Sequence, residues 1–101
     1  MIRHVVMWKI KDKFKGQDKQ ALKVELRKRL EALPALISEI KVFQVGDNFS
    51  TRDAAMEVAL FSEFENREAL QAYVLHPDHQ AVAAWIKEVV TETRVADWEC
   101  E

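Results

Sequence analysis

Along residues 2–10 the side chains alternate, with Ile2, His4, Val6, Trp8 and Ile10 on one side and Arg3, Val5, Met7 and Lys9 on the other. A period of two predicts a strand, and apolar groups on both sides predict one that is at least partly covered on each face. A polar, lysine-rich loop holding Gly16 follows. From Asp18, a suitable N-cap, the period changes. Leu22, Leu26, Leu30 and Leu33 then recur at helical spacing, which predicts an amphipathic helix ended by Pro34.

Residues 39–46 alternate again, Ile40 and Val42 against Lys41, Phe43 and Val45, before a turn at Gly46-Asp47-Asn48 and a polar loop to Asp53. Met56 to Phe64 reads as a second two-faced strand. Asn66 opens a helix through Ala69, Leu70 and Tyr73, and Pro77 breaks it. Val82, Trp85, Ile86 and Val89 make the apolar stripe of the next helical segment. Thr91 to Glu99, with Val95 and Trp98, reads as the last strand.

The order β-α-β-β-α-β is the split βαβ arrangement of a ferredoxin-like α+β sandwich. Its helices cover only one face of a four-stranded sheet. Val5, Met7 and other apolar side chains are left on the opposite face, which predicts a twofold homodimer packed sheet to sheet.

Length and composition narrow the class. The 101 residues fit one domain, 1–101, and 49% hydrophobic content without a low-complexity tract argues against disorder. The charged interruption at Arg3 and the lysines that follow do not read as a signal peptide, and no apolar run approaches a membrane span. Cys100 is the single cysteine, which excludes an internal disulfide and a cysteine-based zinc site; a cytoplasmic protein with no membrane partner is expected. Residues 9–30 hold nine Lys/Arg against three acids, but without a recognition motif or aromatics beyond Phe14 they read as a solvated helix face. No nucleic-acid partner is expected.

The candidate chemistry gathers in Tyr73-Val74-Leu75-His76-Pro77-Asp78-His79, where two of three histidines and the single tyrosine fall in seven residues around a proline. Histidine exchanges protons near neutral pH, and proline restricts both itself and the residue before it. His76 suits a helix-start cap. No carboxylate stands at a ligand spacing from the histidines and no glycine at a phosphate loop, so neither metal nor cofactor is expected.

Four stretches resemble the stress-responsive dimeric α+β barrel (Dabb) family: His4-Val5-Val6-Met7-Trp8-Lys9, Phe43-Gln44-Val45-Gly46-Asp47-Asn48, Phe64 through His79, and Val95-Ala96-Asp97-Trp98. Ala69-Leu70 … Tyr73 … His76-Pro77 … His79 is the most specific of them. The resemblance implies a dimer whose two sheets close into a barrel. One family member, the plant olivetolic acid cyclase, closes a linear polyketide by acid/base aldol chemistry. Its catalytic tyrosine and histidine correspond to Tyr73 and His79, and a first-strand pocket histidine to His4. A further pocket histidine corresponds to Val58, and Trp8 replaces a smaller aliphatic residue, so the resemblance does not imply that particular cyclisation.

The expected site is therefore His79 as base, Tyr73 as acid or oxyanion donor and His4 as orienter or polar anchor. Three functional readings follow. The first is a small-molecule pocket for an apolar or carbonyl-containing ligand with lyase- or cyclase-like acid/base chemistry. The second is a non-catalytic dimer in which Tyr73 and His79 pin the helix break. The third is a cofactor-free monooxygenase-like enzyme, which needs room for a flat aromatic beside Trp8. An open cavity at these residues separates the first from the second.

Overall fold

The N-terminal strand, apolar on both faces, pairs on both of its edges and so lies in the interior of a sheet. In the computed structural model, which describes residues 1–101, the elements are β1 (Ile2–Ile10), β2 (Lys13–Phe14), β3 (Gln17–Asp18), α1 (Lys19–Glu31), β4 (Val42–Asp47), β5 (Val58–Phe64), α2 (Arg67–Leu75), α3 (Pro77–Val89) and β6 (Val90–Glu99). A 3₁₀ turn at Leu33–Ala35 carries Pro34 and closes α1. The main sheet runs β4-β5-β1-β6, antiparallel throughout. The fold is ferredoxin-like α+β.

Three local differences separate this from the sequence reading. The lysine-rich segment is not a plain loop, because β2 and β3 form a short hairpin there. Lys15 (φ 48°) and Gly16 (φ 82°) supply the two positive φ values of a type I′ turn. β4 and β5 each begin two or three residues later than the alternation suggests, and β6 begins one residue earlier, at Val90.

Helix starts follow the capping chemistry. Asp18 accepts the Ala21 N–H at 2.9 Å to begin α1, and Asn66 accepts the Ala69 N–H at 2.8 Å to begin α2. The break between α2 and α3 is made by His76 and Pro77. His76 takes an extended conformation (ψ 135°), as a residue before proline prefers, and its Nδ1 accepts the Asp78 N–H at 3.1 Å. His76 is thus the cap of α3. Pro77 follows at the first helical position, where its missing N–H is harmless.

The core lies between the helices and one sheet face. Leu22, Leu26 and Leu30 of α1 meet Val6, Trp8, Val58, Leu60 and Phe64, all buried. Ser62 is the buried polar residue of β5 on this face. Its hydroxyl donates to the His4 carbonyl at 3.1 Å, holding β1 where His4 emerges. Several cations of α1 are paired: Arg29 with Glu25, Arg27 with Glu31 and Asp47, and Lys19 with Glu57.

The other sheet face has no layer over it. Val5 and Met7 of β1, Ala59 and Phe61 of β5, Ala96 of β6 and Val42 of β4 point there together. On the same face Arg3 lies beside Glu63, and the Arg3 Nε is buried without a hydrogen-bond partner. No helix of the chain is long and apolar enough to cross a membrane.

Candidate functional site

The helix break sets the centre of the site. Tyr73 sits in the last turn of α2 and is buried to 1% exposure; His79 sits in the first turn of α3. Breaking the helix between them lets the two rings meet, with centroids 4.4 Å apart. His4, from β1, faces Tyr73 edge-on at 6.1 Å. The three residues expected from the sequence are thus brought together.

Hydrogen bonding sorts their roles. The His79 Nδ1–H donates to the Val74 carbonyl at 2.9 Å, across the break, because a carbonyl only accepts. That leaves Nε2 as the free nitrogen. Burial, with smaller contributions from His4 and His76, holds the His79 pKa below its ordinary 6.5, against the opposing pull of the Val74 carbonyl. His79 is therefore neutral, with a lone pair available, at neutral pH. Burial pushes the Tyr73 phenol above its ordinary 10.0, so its hydroxyl stays a proton donor. No protein group hydrogen-bonds that hydroxyl, and it is not sealed from the space beside it.

One neighbour of this cluster is not evident from the sequence. Asp97 of β6 stands opposite His4 in the strand register, and its carboxylate is bonded to His4 Nδ1. The carboxylate oxygen accepts from the Nδ1–H, which leaves the His4 Nε2 without a protein partner. The available signal was the alternation Thr93, Val95, Asp97, which puts these three on the helix side of β6.

His4, Tyr73 and His79 line one end of a cavity of about 320 Å³, at the small end of ligand-pocket volumes, and Asp97 stands outside it. Val6, Trp8 and Leu60 contribute from the sheet, Leu30 from α1, and Tyr73 and Val74 from α2. From α3 come His79, Val82, Ala83, Ile86 and Lys87, one helical stripe at spacings of three and four. Val90, Thr93 and Val95 complete it along the exposed edge strand. Val58 is buried beside Trp8 in the register and does not reach the cavity. No group of three or more His, Cys, Asp or Glu is placed to hold a metal ion.

Fold and site define a ferredoxin-like α+β domain with an apolar cavity ending in a His–Tyr–His cluster. Residues 2–100 match the model of the stress responsive A/B barrel domain, and the chain belongs to that family. An uncharacterized protein of Streptomyces coelicolor is 32% identical over 99 residues, spanning 98% of this chain and 99% of its own. A dimeric ferredoxin-like protein of unknown function from Bacteroides fragilis superposes with a TM-score of 0.84 at 30% identity, over 98% of this chain and 95% of that one. A hydroxynitrile lyase from Passiflora edulis reaches a TM-score of 0.86 at 15% identity, over 99% of this chain and 93% of the lyase; that likeness is one of fold alone.

Proposed function

We propose that this protein binds a small apolar or carbonyl-containing molecule in the cavity and catalyses proton transfer on it. The observation that carries the reading is the open cavity beside two unengaged groups of opposite character, the His79 Nε2 and the Tyr73 hydroxyl. His79 takes a proton from the carbon next to a carbonyl. Tyr73 donates a hydrogen bond to the oxygen on which negative charge develops. His4, oriented by Asp97, anchors the same end. That unrelated reactions share a fold is common, so the Passiflora lyase supports only the capacity of this architecture to house such a site.

The reading includes a homodimer. The uncovered apolar sheet face and the dimeric description of the Bacteroides relative support it. A second, non-catalytic reading has one specific observation behind it: the His79–Val74 bond also pins the helix break. Nothing in the cavity favours monooxygenase-like oxidation over proton transfer.

The test follows exchange of the α-proton of small ketones and β-dicarbonyl compounds for deuterium, by NMR. Wild type should accelerate exchange, and His79→Gln and Tyr73→Phe should lose that acceleration while remaining folded. If the variants exchange as fast as wild type, the catalytic reading fails and the architectural one stands.

A further inference from the structure

The cavity has a second end. His79 and Lys87 lie at the two extremes of the α3 stripe that faces it, eight residues apart, which is about 12 Å along the helix. The sheet gives the same measure independently. His4 pairs with Asp97 and Trp8 with Thr93, and four residues of strand span about 13 Å. The histidine–tyrosine cluster therefore marks one end, and Lys87 with the Thr93 hydroxyl marks the other.

The charge at that far end is unbalanced. No Asp, Glu or Arg lines the cavity, and Lys87 is its one lysine. Lys87 takes part in none of the chain's ion pairs. The residues three and four positions away are Ala83 and Ala84 on α3 and Val90 and Thr91 on β6, and none is acidic. Glu92, beside Thr93, is engaged by Lys9 at 3.7 Å and by Arg94 at 2.6 Å instead. Between the two ends the walls are apolar: Val6, Leu60, Val82 and Ile86.

We infer that the ligand is an elongated aliphatic carboxylate, its carboxylate at Lys87 and Thr93 and its carbonyl-bearing end at Tyr73 and His79. The inference rests on the cavity being a ligand site and adds the ligand's charge, length and direction. An ammonium and a hydroxyl that line the same apolar slot suit a carboxylate, which takes a charge-assisted hydrogen bond while its chain stays out of water. A ligand of the opposite polarity, or a neutral one, leaves Lys87 unmatched.

Calorimetric titration of the wild type with octanoate, octan-1-ol and octylamine tests this directly. The carboxylate should bind about threefold tighter than the alcohol, the increment of one ion contact at an exposed lysine. The amine should bind more weakly than both. Lys87→Ala should bring octanoate and octanol level, and Lys87→Glu should reverse the order in favour of octylamine. Hexanoate, too short to span both ends, should lose affinity relative to octanoate. If octanoate and octanol bind the wild type equally well, the charge assignment is overturned while the cavity reading survives. If octanoate keeps its advantage in Lys87→Ala, the anchor is misplaced. If none of the probes binds, both readings fall together.

Discussion

His4 and Asp97 stand directly opposite each other in the β1–β6 register, and the Asp97 carboxylate holds the His4 Nδ1 proton. The bond joins a buried imidazole to a half-exposed acid on an edge strand. It holds the His4 ring from the side away from the cavity and leaves Nε2 without a protein partner.

Asp97→Asn removes that constraint, because an amide both donates and accepts. Long-range ¹H–¹⁵N spectra should show His4 protonated at Nδ1 in the wild type and a tautomer mixture in the variant. The exchange rate of a bound ketone should fall about tenfold or more, as when an orienting partner is lost elsewhere. An unchanged His4 spectrum in Asp97→Asn contradicts the assignment.

His79 makes the pH behaviour predictable in sign. Its pKa in the folded protein lies below the 6.5 of the unfolded chain, chiefly through burial. Between those two values the unfolded chain binds more protons. The contribution to stability is therefore fully present above 6.5 and is lost as pH falls through that window. Urea midpoints on either side of 6.5 should show the decline, and His79→Gln should flatten it. The acid limb of the proton-transfer rate should likewise lie below 6.5. A limb above 6.5 assigns the base elsewhere.

Tyr73 separates packing from chemistry. Its ring is buried among Phe64, His4 and His79, while its hydroxyl bonds nothing in the protein. Tyr73→Phe should shift stability by less than about 1 kcal/mol, since no intramolecular hydrogen bond is lost. Tyr73→Ala should cost about 3–5 kcal/mol, the range for emptying a buried aromatic site. Thermal denaturation of the pair reads the difference, and a large loss in Tyr73→Phe reveals a structural partner for the hydroxyl.

The uncovered sheet face gives an assembly prediction. Val5 lies between Phe61 and Ala96 on that face. Val5→Asp places a charge in the proposed interface and leaves the helix-facing residues of β1 untouched, because side chains alternate along a strand. Sedimentation should change from dimer to monomer with the fold retained. A variant that sediments as the wild type rules out this face.

Element order was legible because both periods are clean. Ile2-His4-Val6-Trp8-Ile10 and Leu22-Leu26-Leu30 admit one reading each, and both bury as their spacing implies. His4, Tyr73 and His79 were legible as a set through a family resemblance, which supplied the spatial neighbourhood that spacing alone lacks. Asp97 was not, since its role depends on which residue of β1 it faces. Register is a tertiary fact, set by pairing over a separation of 93 residues. Lys87 was missed for a different reason. Within the sequence it is one more surface lysine, and it acquires meaning only where the stripe it ends faces a space without acids. The β2–β3 hairpin was hidden because Lys15 takes a positive φ that lysine seldom adopts.

Between α3 and β6 there is no connecting residue at all: Val89 ends the helix, and Val90 is both its cap and the first residue of the strand. The stripe of the helix and the inward row of the strand are therefore held in phase, like two gears on a common shaft. One inserted residue at this junction would put either wall out of step. It would turn the helix stripe by about 100° or present Arg94, Ala96 and Trp98 inward in place of Thr93, Val95 and Asp97. The cavity can thus be retuned by changing side chains along its length, but a change in chain length at that point dismantles both of its ends at once.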